Sequence, residues 1–228
     1  MGNLAIIPAR GGSKRIPRKN IKDFLGKPII AFSIEVALKS GLFDEVMVST
    51  DDEEIADIAR QYGASVPFMR SYKNSNDFAT TVGVLKEVEL DYKQKLKKDF
   101  DFICCIYPTA PLIDKKHLID GYYKLLEEKL DVVFPIVPFS YPIWRGVEIV
   151  NDVTKMVWEE HLNSRSQDLK QVYHDAGQWY WYNPTRLEDN LFTGKASSII
   201  LTEDVVQDID NLTDWKLAEI KFQLLHEK

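Results

Sequence analysis

Three features of the chain predict an α/β fold with a mainly parallel sheet covered on both faces. Short apolar runs of strand length recur along the first 137 residues. Segments of helical period separate them. Turn and capping residues fall at the junctions between the two kinds of segment. In such a fold ligands bind beyond the carboxyl ends of the strands.

The elements follow in order. Asn3–Ile7 reads as a buried strand, and a glycine-containing basic loop follows it. Ile29–Lys39 carries apolar residues at Ile30, Ile34, Ala37 and Leu38, with Gly41 as its stop. Glu45–Ser49 is the next strand. Glu53–Tyr62 opens on Thr50-Asp51-Asp52, a capping run, and ends at Gly63. Ser65–Phe68 is a strand candidate, and Thr81–Lys97 a long helix. Phe102–Ile106 and Val132–Val137 are apolar strands on either side of the helix Lys115–Glu128. Near Val137 the alternation stops. Pro138–Arg145 is aromatic and rich in proline, and Val147–Glu160 reads as a hairpin turning at Asn151-Asp152. The segment 138–175 is therefore expected to be an insertion in a single domain, leaving the main sheet. Gln178–Tyr182 returns as a strand. A short helix near Pro184–Asp189, a strand Ser198–Leu201 and a helix Thr213–Leu225 complete the chain.

Composition narrows the class. The 228 residues are 45% hydrophobic and 28% charged, with a net charge of −6, an ordinary globular balance that offers no basic face for nucleic acid. No apolar run reaches bilayer-spanning length. Asn3, Pro8 and Arg10 break up the N-terminal apolar stretch, so no cleavable signal is expected and the cytoplasm is the expected compartment. Cys104 and Cys105 are adjacent, so on a strand they face opposite ways and read as buried core thiols.

Against the acidic whole, residues 8–22 carry six basic side chains (Arg10, Lys14, Arg15, Arg18, Lys19, Lys22), and no acidic residue occurs before Asp23. Gly11 and Gly12 permit close backbone approach, and the cations suit a polyphosphate. Gly11-Gly12-Ser13-Lys14 fits neither the Walker loop nor the G-x-G-x-x-G dinucleotide pattern. Far along the chain, Asp208-Ile209-Asp210 places two carboxylates two residues apart before the last helix. The same spacing suits a helix cap at Asp210 or Asn211 or, beside a polyphosphate, a magnesium pair. The second option gives a nucleotidyl-transfer site.

Ile7-Pro8-Ala9-Arg10-Gly11-Gly12-Ser13-Lys14 and Ile16-Pro17-Arg18-Lys19-Asn20 resemble the signature of the cytidylyltransferases that activate nonulosonic, sialic-type acids. Ordered blocks carry the resemblance over nearly the full length. They include Val48-Ser49-Thr50-Asp51-Asp52, Tyr107-Pro108-Thr109-Ala110-Pro111-Leu112, Ser164–Leu169 and Asp208-Ile209-Asp210. The resemblance implies a Rossmann-like three-layer α/β/α nucleotide-sugar transferase fold. It also implies a reaction in which the anomeric hydroxyl of a 2-keto sugar acid attacks the α-phosphate of CTP and pyrophosphate leaves. By the same resemblance Ala9, Arg10, Gly11, Gly12, Ser13, Lys14, Lys19, Asn20, Arg70, Thr80 and Thr81 would bind CTP. Arg10, Lys14, Lys19 and Asp210 would carry catalysis. Asp208 and Asp210 would hold Mg2+.

Departures from the sialic pattern bear on the sugar. Tyr107 stands where sialic members place Gln, and Asp175–Trp181 replaces their Asn-Gly-Ala-Ile-Tyr. Exchanging an amide for an aromatic face points to a less hydroxylated sugar. His174–Tyr180 resembles the pseudaminic acid branch of the family, and N-acylneuraminate or legionaminate is the alternative acceptor. Tyr107, Arg165, Gln167, Gln178 and Trp179 are the expected sugar-binding residues, with Arg165 suited to a carboxylate. In the resembling family the inserted segment mediates homodimerisation and reaches the partner's site. A nucleotide-binding protein without catalysis is the reading from a different class.

Overall fold

The structure is a computed structural model that describes residues 2–192 and 194–226. The α/β class expected from the sequence holds. The strands are β1 Gly2–Pro8, β2 Asp23–Phe24, β3 Lys27–Pro28, β4 Glu45–Ser49, β5 Phe100–Ile106, β6 Val132–Pro138, β7 Val147–Val150, β8 Val153–Met156, β9 Tyr173–Asp175, β10 Trp179–Tyr182 and β11 Ala196–Ile200. The helices are α1 Ile29–Ser40, α2 Glu53–Gln61, α3 Thr81–Asp91, α4 Lys115–Glu127 and α5 Leu212–His226. The central sheet runs β11-β6-β10-β5-β1-β4, with β9 paired to β6 beside β10.

The sheet is mixed rather than mainly parallel in its pairings. β1 pairs parallel with β4 and β5, and β11 with β6. β10 lies antiparallel between β5 and β6, and β9 runs antiparallel to β6. The chain leaves β6, passes through the insertion and doubles back on the same edge, which requires reversed strands.

Strand alternation sorts the core into two layers. On one face Ala5, Ile7, Val46, Val48, Cys104, Ile106, Trp179 and Trp181 pack with Ile30 and Ile34 of α1, Ile55 of α2 and Leu118 of α4. On the other, Leu4, Ile6, Met47, Ile103, Cys105, Tyr180 and Tyr182 pack with Val82, Leu85 and Val88 of α3. The two cysteines are free and buried on opposite faces. A third cluster seats α5, where Trp215 and Ala218 meet Ile16, Phe24, Ile29 and Ile209. That contact holds the 208–210 segment against the basic loop.

Local chemistry explains most boundaries. Asp52 caps α2 by accepting from the Ile55 N–H at 3.0 Å, and Gly41 ends α1 at φ 68°. α3 ends earlier than expected: one π turn, Tyr92–Leu96, follows it before Lys97 turns left-handed at φ 54°. Ser65–Phe68 contributes only the bridge from Ser65 to Met47, since Pro67 has no N–H to continue a ladder. Pro184–Asp189 is a turn fastened by Asn183, whose Oδ1 accepts from the Thr185 N–H and hydroxyl. β9 was not expected. The main sheet keeps Pro138 and gains Tyr173–Asp175, so the segment that leaves it is 139–172 rather than 138–175. Within it, β7 and β8 pair only with each other, and both strands are largely exposed. Among the described residues no helix is long and apolar enough to cross a membrane.

Candidate active site

The basic loop leaves the carboxyl end of β1 and is tied to that end of the sheet. Ala9 N–H donates to Ser49 O at 2.9 Å, and Gly11 N–H to Asp51 Oδ1 at 2.9 Å. A Cβ at Gly11 would lie 2.7 Å from Asp52 Oδ2, so only glycine fits there. Arg18, left-handed at φ 55°, grips Asp52 and Glu54. The hydrogen bond from Arg18, against the opposing effect of burial, holds the Asp52 carboxyl below its ordinary value. The buried Asn20 amide donates to Arg10 O at 2.8 Å and braces the loop from inside.

A cavity of about 480 Å³ opens over this loop. Arg10, Ser13, Lys14, Lys19, Asn20, Arg70 and Thr81 line it. Ala9 lies buried beneath, and Gly11, Gly12 and Thr80 are not part of the wall. Thr80 is the N-cap of α3, accepting from Gly83 N–H at 3.0 Å. Arg70 is buried, donating from Nε to Ser49 Oγ at 3.0 Å and from a terminal nitrogen to Ser49 O. Burial brings its guanidinium down to about 10, so it stays cationic at neutral pH. Asp77, from the loop before α3, bridges Arg10 (2.7 Å) and Lys14. Its carboxyl is held low by the hydrogen bonds of those two cations. The seat of Asp77 between two loop cations requires the fold.

The distant carboxylates arrive at the same place. Lys19 Nζ donates to Ile209 O at 2.6 Å, and Arg15 pairs with Asp210 at 2.6 Å. Burial lowers the Lys19 ammonium, and the charges of Asp210 and Asp208 oppose that shift. Burial raises the Asp208 carboxyl, and the neighbouring Asp210 charge adds to it. The helix-cap alternative falls to Asn211, whose Oδ1 accepts from Thr213 N–H and Asp214 N–H. The Asp210 carboxylate is thus free to face the loop.

A second cavity, about 590 Å³, lies beside the first. Asp208, Gln207, Lys221, Asp175 and His174 line it, and Tyr107 is the one residue it shares with the first. Lys221 donates to Glu203 O (2.9 Å) and Val206 O (2.7 Å), which fixes the turn before Asp208. Nothing in the sequence singled out Lys221. A third cavity, between α1 and α5, holds none of the expected site residues.

Two expected sugar contacts do not hold. Trp179 is fully buried on the α4 side, packed so closely on Gly121 that a Cβ there would collide with its ring. The alternation of β10 holds, but Trp179 faces the layer of α1, α2 and α4, whereas Tyr180 lies in the opposite layer, on the side of Tyr107. Gln178 is also buried, its amide donating to Val205 O at 2.7 Å, and it lines neither cavity. Arg165 and Gln167 sit in the insertion and line neither cavity, although Gln167 lines a smaller one that meets the second at Ser140; Arg165 is exposed and pairs with Asp168 at 2.8 Å.

A family model described as cytidylyltransferase matches residues 4–186. The chain belongs to the cytidylyltransferase family. It is accordingly a CTP-using nucleotidyltransferase. The chain is 45% identical to the pseudaminic acid cytidylyltransferase of Campylobacter jejuni over 100% of its own length and 99% of that protein's. It is 32% identical to the CMP-N,N'-diacetyllegionaminic acid synthase of Legionella pneumophila, covering 98% and 97%. The solved structure of CMP:2-keto-3-deoxy-manno-octonic acid synthetase, complexed with CTP, superposes with a TM-score of 0.70 over the whole of both chains. At 18% identity that likeness speaks for the cytidylyltransferase fold.

Proposed function

We propose that this cytidylyltransferase transfers CMP from CTP to the anomeric hydroxyl of pseudaminic acid, releasing pyrophosphate. The observation that carries the reading is the pair of adjoining cavities: one lined by Arg10, Lys14 and Lys19, the other by Asp208, with Tyr107 between them. Two substrates seated on either side of that ring would meet near the Asp208–Asp210 segment. The full-length 45% identity to a protein named for pseudaminic acid supports this acceptor over the legionaminic one.

Nucleotidyl transfer depends on positioning and on neutralising charge as it develops. Arg10, Lys14 and Lys19 do this for the triphosphate. CTP must displace Asp77, which holds Arg10 and Lys14 in its absence. Arg70 adds a fixed, desolvated positive charge. Asp208 and Asp210 fit Mg2+: they are two residues apart, and burial and the Asp210 charge hold the Asp208 carboxyl high, an effect a bound cation would relieve. Magnesium keeps several waters and shares phosphate oxygens with its substrate, so two carboxylates would suffice as the protein's share of its ligands. When bound, such an ion neutralises phosphate charge and favours ionisation of a nearby hydroxyl.

The working form in this reading is a cytoplasmic homodimer. On one face of the β7–β8 hairpin Val147 and Ile149 are 59% and 73% exposed, and on the other Val153 is 55% exposed, so the ribbon presents apolar surface suited to a second copy. Arg165 and Gln167, which face neither cavity of their own chain, then belong to the partner's acceptor site.

Pyrophosphate release tests the reading, with CTP, Mg2+ and each of pseudaminic, legionaminic and N-acetylneuraminic acid. Pseudaminic acid should exceed the others in kcat/KM by at least about tenfold. Equal turnover of N-acetylneuraminate would overturn the acceptor assignment. Tight CTP binding with no release on any acid would favour the non-catalytic reading.

A further inference from the structure

The loop that leads from Arg70 to α3 supplies part of the nucleotide cavity and has no apolar anchor. It runs Ser71-Tyr72-Lys73-Asn74-Ser75-Asn76-Asp77-Phe78, and no residue of that run is buried. Its two aromatic side chains, Tyr72 and Phe78, are 92% and 93% exposed. Asn74, Asn76 and Asp77 nevertheless line the wall of the cavity. With no hydrophobic burial to fix the run, polar contacts must do so.

Glu87 of α3 grips the loop at its first residue. Its Oε1 accepts from Ser71 N–H at 2.7 Å, and its Oε2 from the Ser71 hydroxyl at 2.6 Å and from the Asn74 amide. The Asn74 amide also donates to Gly83 O at 3.3 Å. Burial opposes ionisation of Glu87, but the hydrogen bonds of Ser71 and Asn74 hold its carboxyl below the ordinary value. Ser71 carries the turn that follows: its carbonyl accepts from Asn74 N–H at 3.1 Å and from the Ser75 hydroxyl at 2.8 Å. Asn76 closes the turn on Lys73 O at 2.8 Å. Ser71 N–H belongs to the peptide unit that joins it to Arg70, so the same carboxylate fixes the chain where it leaves that buried cation. Glu87 itself is not part of the cavity wall. Asp77, by contrast, pairs with Arg10 and Lys14, which the triphosphate must take over.

We infer that Glu87 is a positioning residue for the nucleotide: by clamping Ser71 and Asn74 to α3 it keeps the 71–77 loop, and the peptide after Arg70, in place on the cavity wall while Asp77 is displaced. The inference rests on the proposed CTP site and adds to it the group that holds one wall. The sign of the effect separates positioning from charge. A carboxylate near a cationic cavity repels a triphosphate, so a plain charge effect of removing it would tighten CTP binding, most at low salt. Loss of the clamp weakens binding at any salt concentration.

Two variants test it. Glu87→Gln keeps the shape and removes the charge, and its amide cannot accept from both Ser71 and Asn74, because one end of it offers hydrogens. Ser71→Ala removes the hydroxyl alone. Dissociation constants for CTP are measured by titration calorimetry at low and high salt for the wild type, both variants and the double variant. KM for pseudaminic acid reads the acceptor side, and thermal melting reads the fold. Glu87→Gln should weaken CTP binding about fivefold at both salt concentrations and leave KM for the sugar acid within about twofold. Ser71→Ala should weaken CTP binding about twofold and add little in the Glu87→Gln background. Unchanged or tighter CTP binding by a folded Glu87→Gln protein, an equal rise in KM for the sugar acid, or full additivity of the two changes would overturn the inference alone. If Glu87→Gln fails to fold, Ser71→Ala decides, and unchanged CTP binding there overturns it. A wild-type protein that does not bind CTP would overturn the functional reading as well.

Discussion

The basic loop and the insertion form the two projections from the same sheet, and they are built on opposite principles. In the loop nearly every charged or polar side chain has a partner within the chain: Arg10 and Lys14 on Asp77, Arg15 on Asp210, Arg18 on Asp52 and Glu54, Asn20 on Arg10 O. In the insertion a two-stranded hairpin pairs only with itself and leaves Val147, Ile149 and Val153 in solvent. A two-stranded hairpin alone is marginal in water. The loop therefore has its cations fixed by partners of its own chain, as the proposed triphosphate site needs. The insertion has the surface of an element that gains its stability from outside contact.

The largest effect expected from this contrast is chemical. Lys14→Ala removes an exposed side chain that pairs with Asp77, so folding and assembly should be unchanged. If Lys14 faces the leaving phosphates as proposed, turnover should fall about 10²-fold or more. Rapid-quench measurement of CMP-sugar formation, with melting and sedimentation as controls, reads this directly. A change in assembly instead would erase the distinction between the two regions.

Next comes the converse change. Ile149→Asp places a charge in the apolar ribbon and should weaken self-association on the order of a hundredfold, seen by sedimentation velocity, with CTP binding preserved. If CTP binding were lost with the dimer, the nucleotide receptor would not be complete in one chain.

A smaller effect concerns Asp77. Asp77→Asn frees Arg10 and Lys14 from a competing anion, so KM for CTP should fall about twofold to threefold at low salt and the gain should vanish at high salt. A rise in KM would mean that Asp77 orders the loop more than it competes.

The smallest effect is on stability at low pH. The Asp52 carboxyl is held below its ordinary value by Arg18, so its contribution is fully present above the unfolded value near about 4 and is lost as pH falls through the lower folded value. Asp52→Asn should flatten the acid limb of the stability curve in urea titrations and leave stability near neutrality reduced by about 1 kcal/mol or less.

How far the sequence could be read depends on how local each signal is. β1, β4 and β5 were legible because a run of apolar residues needs no context, and α2 because Asp52 and Gly63 bracket it. The approach of Asp208-Ile209-Asp210 to the basic loop was legible from chemistry alone, and the fold delivers it through the seat of α5 on Phe24 and Ile16. The reversed direction of β10 was not legible, since Trp179–Tyr182 is buried on both faces and carries no mark of orientation. Alternation told that Trp179 and Tyr180 diverge, but not which of them packs against α4 and which lies on the side of Tyr107. β9 is three residues long and half exposed, below the length at which periodicity speaks. Asp77 and Lys221 belong to loops and helix faces whose partners are set by tertiary placement.

The adjacent thiols of β5 give this protein a built-in gauge of opening. Cys104 and Cys105 lie in different layers of the core, and burial pushes both thiols well above their ordinary range. Thiol reagents attack the thiolate, so the folded molecule resists labelling at both positions. One peptide bond thus reports on both layers. Modification of Cys104 alone marks separation of the α1, α2 and α4 layer, and modification of Cys105 alone marks release of α3. Simultaneous modification marks global unfolding, so mass spectrometry of a single tryptic fragment distinguishes the three.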